Sequence, residues 1–410
     1  MKVAITGRGL ITPIGNGLTE NEKSLRNGCS GIRFMPEWRE LHLESQVSGV
    51  PDENPECSLI DKKASRFTTA NGKMGIAAAY EALMEANLSL EEIKGKRIAV
   101  ILGCGGSPYD LVYNSAKRLL DTKKVKRLTP FVVPQTMISS AAANISLLLG
   151  LTGESYAVSS ACTSGSHAIM MATRLIRNGI YDIVLTGGTE EANWVTALGF
   201  DAMKATSRKY NETPEKASRP FDKDRDGFVL AGGAGILILE SEASIKSRGV
   251  TPKGYISGIA ANSNAADMVV PDSASACEVM NMAIQDARLS IKDIGYLNTH
   301  GTSTPVGDPL EMRAVKQLFG SYADCVAINS TKSLTGHMIG ATGAVEAIFT
   351  SIMLEKDFIS PTANLENPED EFDWADLVRG SSKTGTGIRH ALSNSFGFGG
   401  TNGALVLSKD

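Results

Sequence analysis

Ser155-Tyr-Ala-Val-Ser-Ser-Ala-Cys162-Thr-Ser-Gly-Ser-His167-Ala-Ile-Met-Met171 reads as a short strand, a tight turn with a thiol at its tip, and the start of a helix rich in small residues. Farther along, Cys325-Val-Ala-Ile-Asn329-Ser-Thr-Lys332-Ser-Leu-Thr-Gly-His337-Met-Ile-Gly340 repeats the pattern, with Ser-Thr-Lys at the turn. The echo runs from Ser155–Gly188 to Cys325–Ser360 and predicts two related halves, 1–248 and 249–410, with no Pro/Ser-rich hinge between them. Further apolar runs at 2–6, 98–103, 182–187, 234–240, 254–260, 294–298, 325–329 and 403–408 suggest buried strands of a largely parallel or mixed sheet. The fold class is therefore α/β. The helices expected at 165–177 and 340–354 are rich in Ala, Gly, Ser and Met, which lets backbones approach closely in a buried layer between sheets.

The chain has 410 residues, 42% hydrophobic and 21% charged, with net charge −4, which describes a globular protein with no overall electrostatic reason to bind nucleic acid or an anionic membrane. Six cysteines lie far apart, without a CxxC pair or zinc-ligand spacing, so free thiols in a reducing compartment are expected and no metal site. An arginine in the N-terminal apolar run argues against a signal peptide, and no stretch reaches the roughly 20 apolar residues of a membrane span. A cytoplasmic location follows as an expectation.

Cys162 stands at a helix start, where free N–H groups and the dipole lower a thiol pKa and favour the thiolate. Two histidines follow apolar strands and sit among residues too small to fill space: His300 in Asn298-Thr-His-Gly-Thr302-Ser-Thr304-Pro-Val-Gly-Asp308, and His337. Such rings line cavities. Glycines in Ser393-Asn-Ser-Phe-Gly-Phe398-Gly-Gly-Thr-Asn-Gly403 leave backbone N–H groups free to face a ligand, as an oxyanion hole requires. Gly7-Arg-Gly9 lacks the third glycine and acidic partner of a dinucleotide site, and Gly103-Cys-Gly-Gly-Ser-Pro108 reads as a turn.

Together, Ser-Ser-Ala-Cys162, Thr-His300-Gly-Thr-Ser-Thr-Pro-Val-Gly-Asp308, Ser-Thr-Lys332-Ser-Leu-Thr-Gly-His337 and Asn-Ser-Phe-Gly-Phe398-Gly-Gly-Thr-Asn resemble the β-ketoacyl-[acyl carrier protein] synthases of the thiolase superfamily over nearly the whole chain. The Cys-His-His set is similar to the type I/II elongating class, and Tyr210-Asn-Glu-Thr-Pro-Glu-Lys-Ala-Ser-Arg219 with Gly105-Gly-Ser-Pro108 leans toward type I. Thr163-Ser164-Gly165 departs from the type I pattern and leaves the pocket beside Cys162 open. The resemblance implies a layered αβαβα fold, a homodimer, and decarboxylative condensation of an acyl-enzyme with a malonyl-carrier. No cofactor is consumed, and phosphopantetheine arrives on the acyl carrier protein.

By the same resemblance Cys162 takes the acyl group, and the N–H groups of Cys162 and Phe398 form the oxyanion hole, with Phe398 also gating. His300 and His337 stabilise the enolate, and Lys332 tunes the site. Thr302 and Thr304 bind the pantetheine arm, while Glu346 and Asp308 are structural, Glu346 paired with Lys332 or a cation. The acidic carrier would dock on Lys62, Lys63, Arg66 and Lys126; nearby Lys117, Arg118, Lys123, Lys124 and Arg127 carry the same charge. His337 argues against initiating synthases of Cys-His-Asn type, the single reactive cysteine against thiolases, and Cys162 itself against a non-catalytic chain-length partner. A polyketide or polyene synthase shares the same catalytic set, and a Cys-His hydrolase would differ in using water as the attacking group.

Overall fold

In a computed structural model, which describes residues 2–51, 55–106 and 108–409, ten strands form two runs of identical order. Ser107, in the turn quoted above, lies outside the described residues. In the first half, β1 (Val3–Thr12), β2 (Ala99–Gly103), β3 (Ser155–Val158), β4 (Ile183–Glu190) and β5 (Gly233–Glu240) lie in the order β1-β5-β4-β2-β3. In the second, β6 (Gly254–Ser263), β7 (Tyr296–Asn298), β8 (Ala327–Asn329), β9 (His390–Gly397) and β10 (Thr401–Ser408) lie in the order β6-β10-β9-β7-β8. Each run has two antiparallel pairings followed by two parallel ones. A short antiparallel contact, Val3 to Ile256 through Ile5 to Gly254, joins them into one sheet of twelve strands, counting the short strands Gly15–Asn16 and Asp376–Leu377.

The apolar runs are continuous because most of these strands are buried on both faces. Ile101, Leu237 and Leu239 face a central core, while their neighbours Val100, Leu102, Ile236 and Ile238 face an outer one. In the second half Leu405 and Leu407 face the central core and Ala404 and Val406 a separate outer one. Helices α1 (Ala70–Glu85) and α2 (Ser140–Leu149) cover the first outer face, and α4 (Ser273–Asp286) with α5 (Gly307–Phe319) the second. Between them lie α3 (Ser164–Arg177) and α6 (Thr342–Glu355), which touch each other and strands of both halves. The layering is αβαβα.

Small residues set the central spacing. A Cβ on Gly165 would lie 2.9 Å from the Ala344 nitrogen, and one on Gly343 would lie 2.2 Å from Ser166 Oγ. Gly7 and Gly9 have the same role at the outer face, where a Cβ would lie 2.0 and 1.9 Å from carbonyl oxygens of α1. Helix packing, not a dinucleotide, accounts for that motif. The glycine-rich turn expected over 393–403 is shorter, because Ser393–Gly397 is ladder-paired strand and only Phe398, Gly399 and Gly400 turn, the two glycines at φ 82° and 70°. Among the described residues no helix is long and apolar enough to cross a membrane.

Candidate active site

Site residues gather at the carboxyl ends of the parallel strands, where side chains leave the sheet and helices begin. Between β3 and α3 the chain turns through Ala161, which holds a left-handed φ of 50°. Hydroxyls lace the turn: Ser164 Oγ accepts from the Ser160 N–H at 2.9 Å and donates to the Ala161 carbonyl at 2.6 Å, and Thr163 Oγ1 donates to the Thr401 carbonyl at 2.8 Å. This holds Cys162, 8% exposed, at the tip. Burial pushes its thiol up to about 12, against the pull of Lys332 and of the Phe398 and Cys162 N–H groups at the sulfur. The lowered pKa expected from the helix start is therefore incorrect. Desolvation raises it, and the Thr163 and Ser164 N–H groups at the helix start are spent on the Ser160 and Ala161 carbonyls.

His300 follows β7, and a carboxylate fixes its backbone. Glu311, on α5, accepts the His300 and Gly301 N–H groups at 2.8 and 2.7 Å, and Asn394 Nδ2 at 3.1 Å. His337 follows β8; its N–H donates to the Val229 carbonyl at 2.7 Å and its Nδ1 lies 2.9 Å from Thr342 Oγ1. The two rings stand edge to face, centroids 5.3 Å apart. Burial, then the positive charge of Lys332, holds both imidazoles well below the usual histidine range, so both are neutral at pH 7. Their Nδ1 (His300) and Nε2 (His337) are buried without a protein partner.

Lys332 Nζ lies 2.8 Å from Glu346 Oε1, each side chain 1% exposed. Burial lifts the Glu346 carboxyl to about 7 despite the lysine. Asn298 Oδ1, Glu346 Oε2, Ser393 Oγ and Asn394 Oδ1 are all buried without a hydrogen-bond partner. Thr331 links Asn298 to Glu346, and Asn298 pairs in register with Ser393. These oxygens suit a hard cation. Among the described residues no group of three His, Cys, Asp or Glu side chains is placed to hold a metal.

A cavity of about 390 Å³ is lined by Cys162, His300, His337, Thr302, Thr304 and Phe398, and Asp308 is on its wall. Thr302 and Thr304 hydroxyls lie 3.1 Å apart. Asp308 is fully buried, accepts the Phe221 N–H at 3.0 Å, lies 3.6 Å from Arg225, and is raised by burial to about 6. The Phe398 ring is 6.2 Å from Phe200, which packs 5.1 Å from Phe228. Lys62, Lys63, Arg66 and Lys126 are exposed and outside this lining. An edge-to-face contact of Phe67 with Phe131, centroids 4.9 Å apart, brings their two segments together.

Sequence reasoning missed two buried acids, Glu311 and Glu190. Glu190 ends β4; its Oε2 accepts the Gly105 N–H at 2.7 Å and the Gly340 N–H at 3.0 Å, and burial lifts it to about 8. It ties the turn after β2 to the segment following His337. For Glu190 the one signal was position, an acid closing an otherwise uncharged strand.

Two family models match the chain: beta-ketoacyl synthase, N-terminal domain, over residues 1–244 and beta-ketoacyl synthase, C-terminal domain, over residues 253–366. The chain belongs to the β-ketoacyl synthase family. This synthase is 42% identical to 3-oxoacyl-[acyl-carrier-protein] synthase 1 of Haemophilus influenzae, covering 100% of this chain and 99% of that protein. It is 38% identical to 3-oxoacyl-[acyl-carrier-protein] synthase 2 of Vibrio cholerae, with the same coverage. A beta-ketoacyl synthase from Burkholderia phymatum superposes with a TM-score of 0.94 at 32% identity, covering 100% and 99% of the two chains. A type II polyketide ketosynthase in complex with its acyl carrier protein superposes at 0.87 with 29% identity and the same coverage. The fold of the synthase is thiolase-like.

Proposed function

We propose that this synthase condenses an acyl-Cys162 thioester with malonyl-[acyl carrier protein], giving a 3-oxoacyl-[acyl carrier protein] two carbons longer and CO₂, in fatty-acid elongation. The observation that carries the reading is one cavity holding a thiol, two N–H groups at its sulfur, and two neutral imidazoles. Full-length identity to proteins named 3-oxoacyl-[acyl-carrier-protein] synthase supports it and favours fatty-acid over polyketide substrates.

In the first half-reaction the Cys162 sulfur attacks the thioester carbonyl and its proton leaves with the carrier's thiol. The Cys162 and Phe398 N–H groups receive the developing oxyanion. A thiol raised to about 12 is protonated in the resting enzyme at pH 7. In the second half-reaction the malonyl C–CO₂⁻ bond breaks and its electron pair moves onto the thioester oxygen as an enolate. Neutral imidazoles donate N–H bonds to that oxygen, which charged carboxylates would repel. Thr342 Oγ1 beside His337 Nδ1 supports the tautomer with a proton on Nε2. The enolate carbon attacks the acyl carbonyl, the C–S bond breaks, and the Cys162 thiolate takes a proton from water.

Lys332 moderates the rise of the thiol pKa and adds to burial in keeping both imidazoles neutral, while Glu346 lies against its ammonium. Asp308 braces the loop that carries Thr302 and Thr304, which bind the pantetheine arm. The carrier docks on Lys62, Lys63, Arg66 and Lys126. Two halves, 1–248 and 249–410, build the site. A homodimer is supported by the open edge of β3 and by exposed Leu120, Val125, Val133 and Leu147, and six free cysteines fit a cytoplasmic enzyme. No metal or nucleotide enters the reaction.

Mass spectrometry of the protein with acyl-carrier and malonyl-carrier tests the reading. Acylation of Cys162 and an extended carrier product, both absent in Cys162→Ala, are expected. Release of free acid in place of the longer product would mean a hydrolase.

A further inference from the structure

Seen from solvent, the cavity rim is apolar, with Val269, Val270, Pro271 and Val306 lining it and three of these valines 43–55% exposed. The charged groups on the lining are almost all spent. Asp226 accepts the Ser207 hydroxyl and the Arg208 and Lys209 N–H groups at 2.7, 2.8 and 2.9 Å. Asp308 faces Arg225 and the Phe221 N–H, Glu311 holds two backbone N–H groups and Asn394, and both histidines are neutral. Lys204 differs. It is the one ammonium or guanidinium group among the described lining residues, its side chain is exposed, and it has no hydrogen-bond or ion-pair partner among them.

The backbone presents this lysine rigidly. Lys204 holds a left-handed φ of 58°, beyond the helix Trp194–Ala202. Its N–H donates to the Asp201 carbonyl at 2.9 Å, the Ala205 N–H to the Phe200 carbonyl at 3.2 Å, and the Phe228 N–H to the Ala205 carbonyl at 3.0 Å. This left-handed turn closes the helix, and its capping bonds fix the backbone of Lys204 relative to Phe200. The neighbouring cation, Arg208, is turned inward onto Asp201 at 2.6 and 3.3 Å, so it does not compete. Phe200, on the same helix, contacts Phe398 and lines the cavity, which fixes the lysine relative to the channel.

We infer that Lys204 binds the phosphodiester of the prosthetic arm as the arm threads from the rim to Cys162. This rests on the condensing-enzyme reading. The arm is neutral between its thioester and its phosphate, so the phosphate is the one anionic group on that stretch and the strongest partner on it for an unpaired ammonium at the rim.

Acylation of Cys162 by two carrier-free donors, acyl-phosphopantetheine and acyl-pantetheine, isolates the phosphate, with the carrier-bound donor as a third. In the wild type the phosphate lowers KM. In Lys204→Met that advantage, read as the ratio of the two KM values, is expected to shrink about three- to tenfold at low salt. Lys204→Arg retains it. Calorimetry of phosphopantetheine and pantetheine on Cys162→Ala, with and without Lys204→Met, reads the same ratio without turnover. An unaltered ratio in both measurements overturns the inference, and so does a defect seen only with the carrier attached, which would assign the lysine to a carboxylate of the carrier. If wild-type Cys162 is acylated by no donor, the condensing reading itself falls; if it is acylated and the ratio does not move, only the Lys204 assignment falls.

Discussion

Cys162, the proposed nucleophile, is placed where a thiolate is costly. Burial raises its thiol to about 12, and Lys332 with two N–H groups moderates but does not reverse the shift. Alkylation by iodoacetamide is therefore expected to quicken about tenfold per pH unit from pH 7 to 10, without a plateau. A plateau near pH 8 would show that the helix start governs after all. Lys332→Met, which removes the largest lowering influence, should slow alkylation further at every pH. Glu190 carries a second residue-scale consequence. Its folded pKa of about 8 stands above its ordinary value of 4.5, so the folded state holds a proton that the unfolded chain releases within that window. Its contribution to stability is present below 4.5 and is lost as pH rises through about 8. Glu190→Gln keeps an acceptor for Gly105 and Gly340, and its Tm relative to wild type should rise from pH 5 to pH 8. A gap that is constant with pH would mean that Glu190 is ionised in the fold.

At the scale of elements, what decides the site is how closely α3 and α6 cross. Gly343→Ala would place a methyl 2.2 Å from Ser166 Oγ and 2.8 Å from Ser395 Oγ, forcing apart the helix that follows Cys162 and the one that follows His337. Urea unfolding should show a loss of about 1–3 kcal/mol, with a fall in the rate of Cys162 acylation. The contrasting substitution lies in the helix Trp194–Ala202. A methyl on Gly199 meets nothing within 4 Å, and the residue is helical, so Gly199→Ala should stabilise by about 0.4–1 kcal/mol through the unfolded chain. Two glycines of one sequence thus move stability in opposite directions, and only their neighbours tell them apart.

Across the whole molecule the net charge is −4, yet the proposed carrier surface is basic. Lys63→Glu with Arg66→Glu should lower kcat/KM for carrier-borne acyl groups about tenfold at low salt, less at high salt, through the association rate. Acyl-pantetheine, which has no carrier, should react with the variant as with the wild type. An equal loss with both donors would place the damage in the fold.

Much of this was legible in the chain itself. Alternation could not be read where strands are buried on both faces, but continuous Val/Ile runs could, and the echo of Ser155–Gly188 in Cys325–Ser360 marked a strand–turn–helix unit that occurs twice, though not the order of the strands. Cys162, His300, Lys332, His337 and the Phe398 turn announce themselves by local chemistry, because small residues around a reactive group leave space that packing does not need. Strand pairing, by contrast, hid the first part of the glycine-rich segment: Ser393–Gly397 carries turn-forming residues yet is held in the ladder by β10. The sequence alone determined which residue types are chemically able to act and that a strand–turn–helix pattern carries two of the turns on which they stand. Only the tertiary structure decided their ionisation and their supports, the protonated thiol, the neutral imidazoles, and Glu311 and Glu190 under the loops, because desolvation and contacts between distant segments are properties of the packed chain, not of any stretch of it.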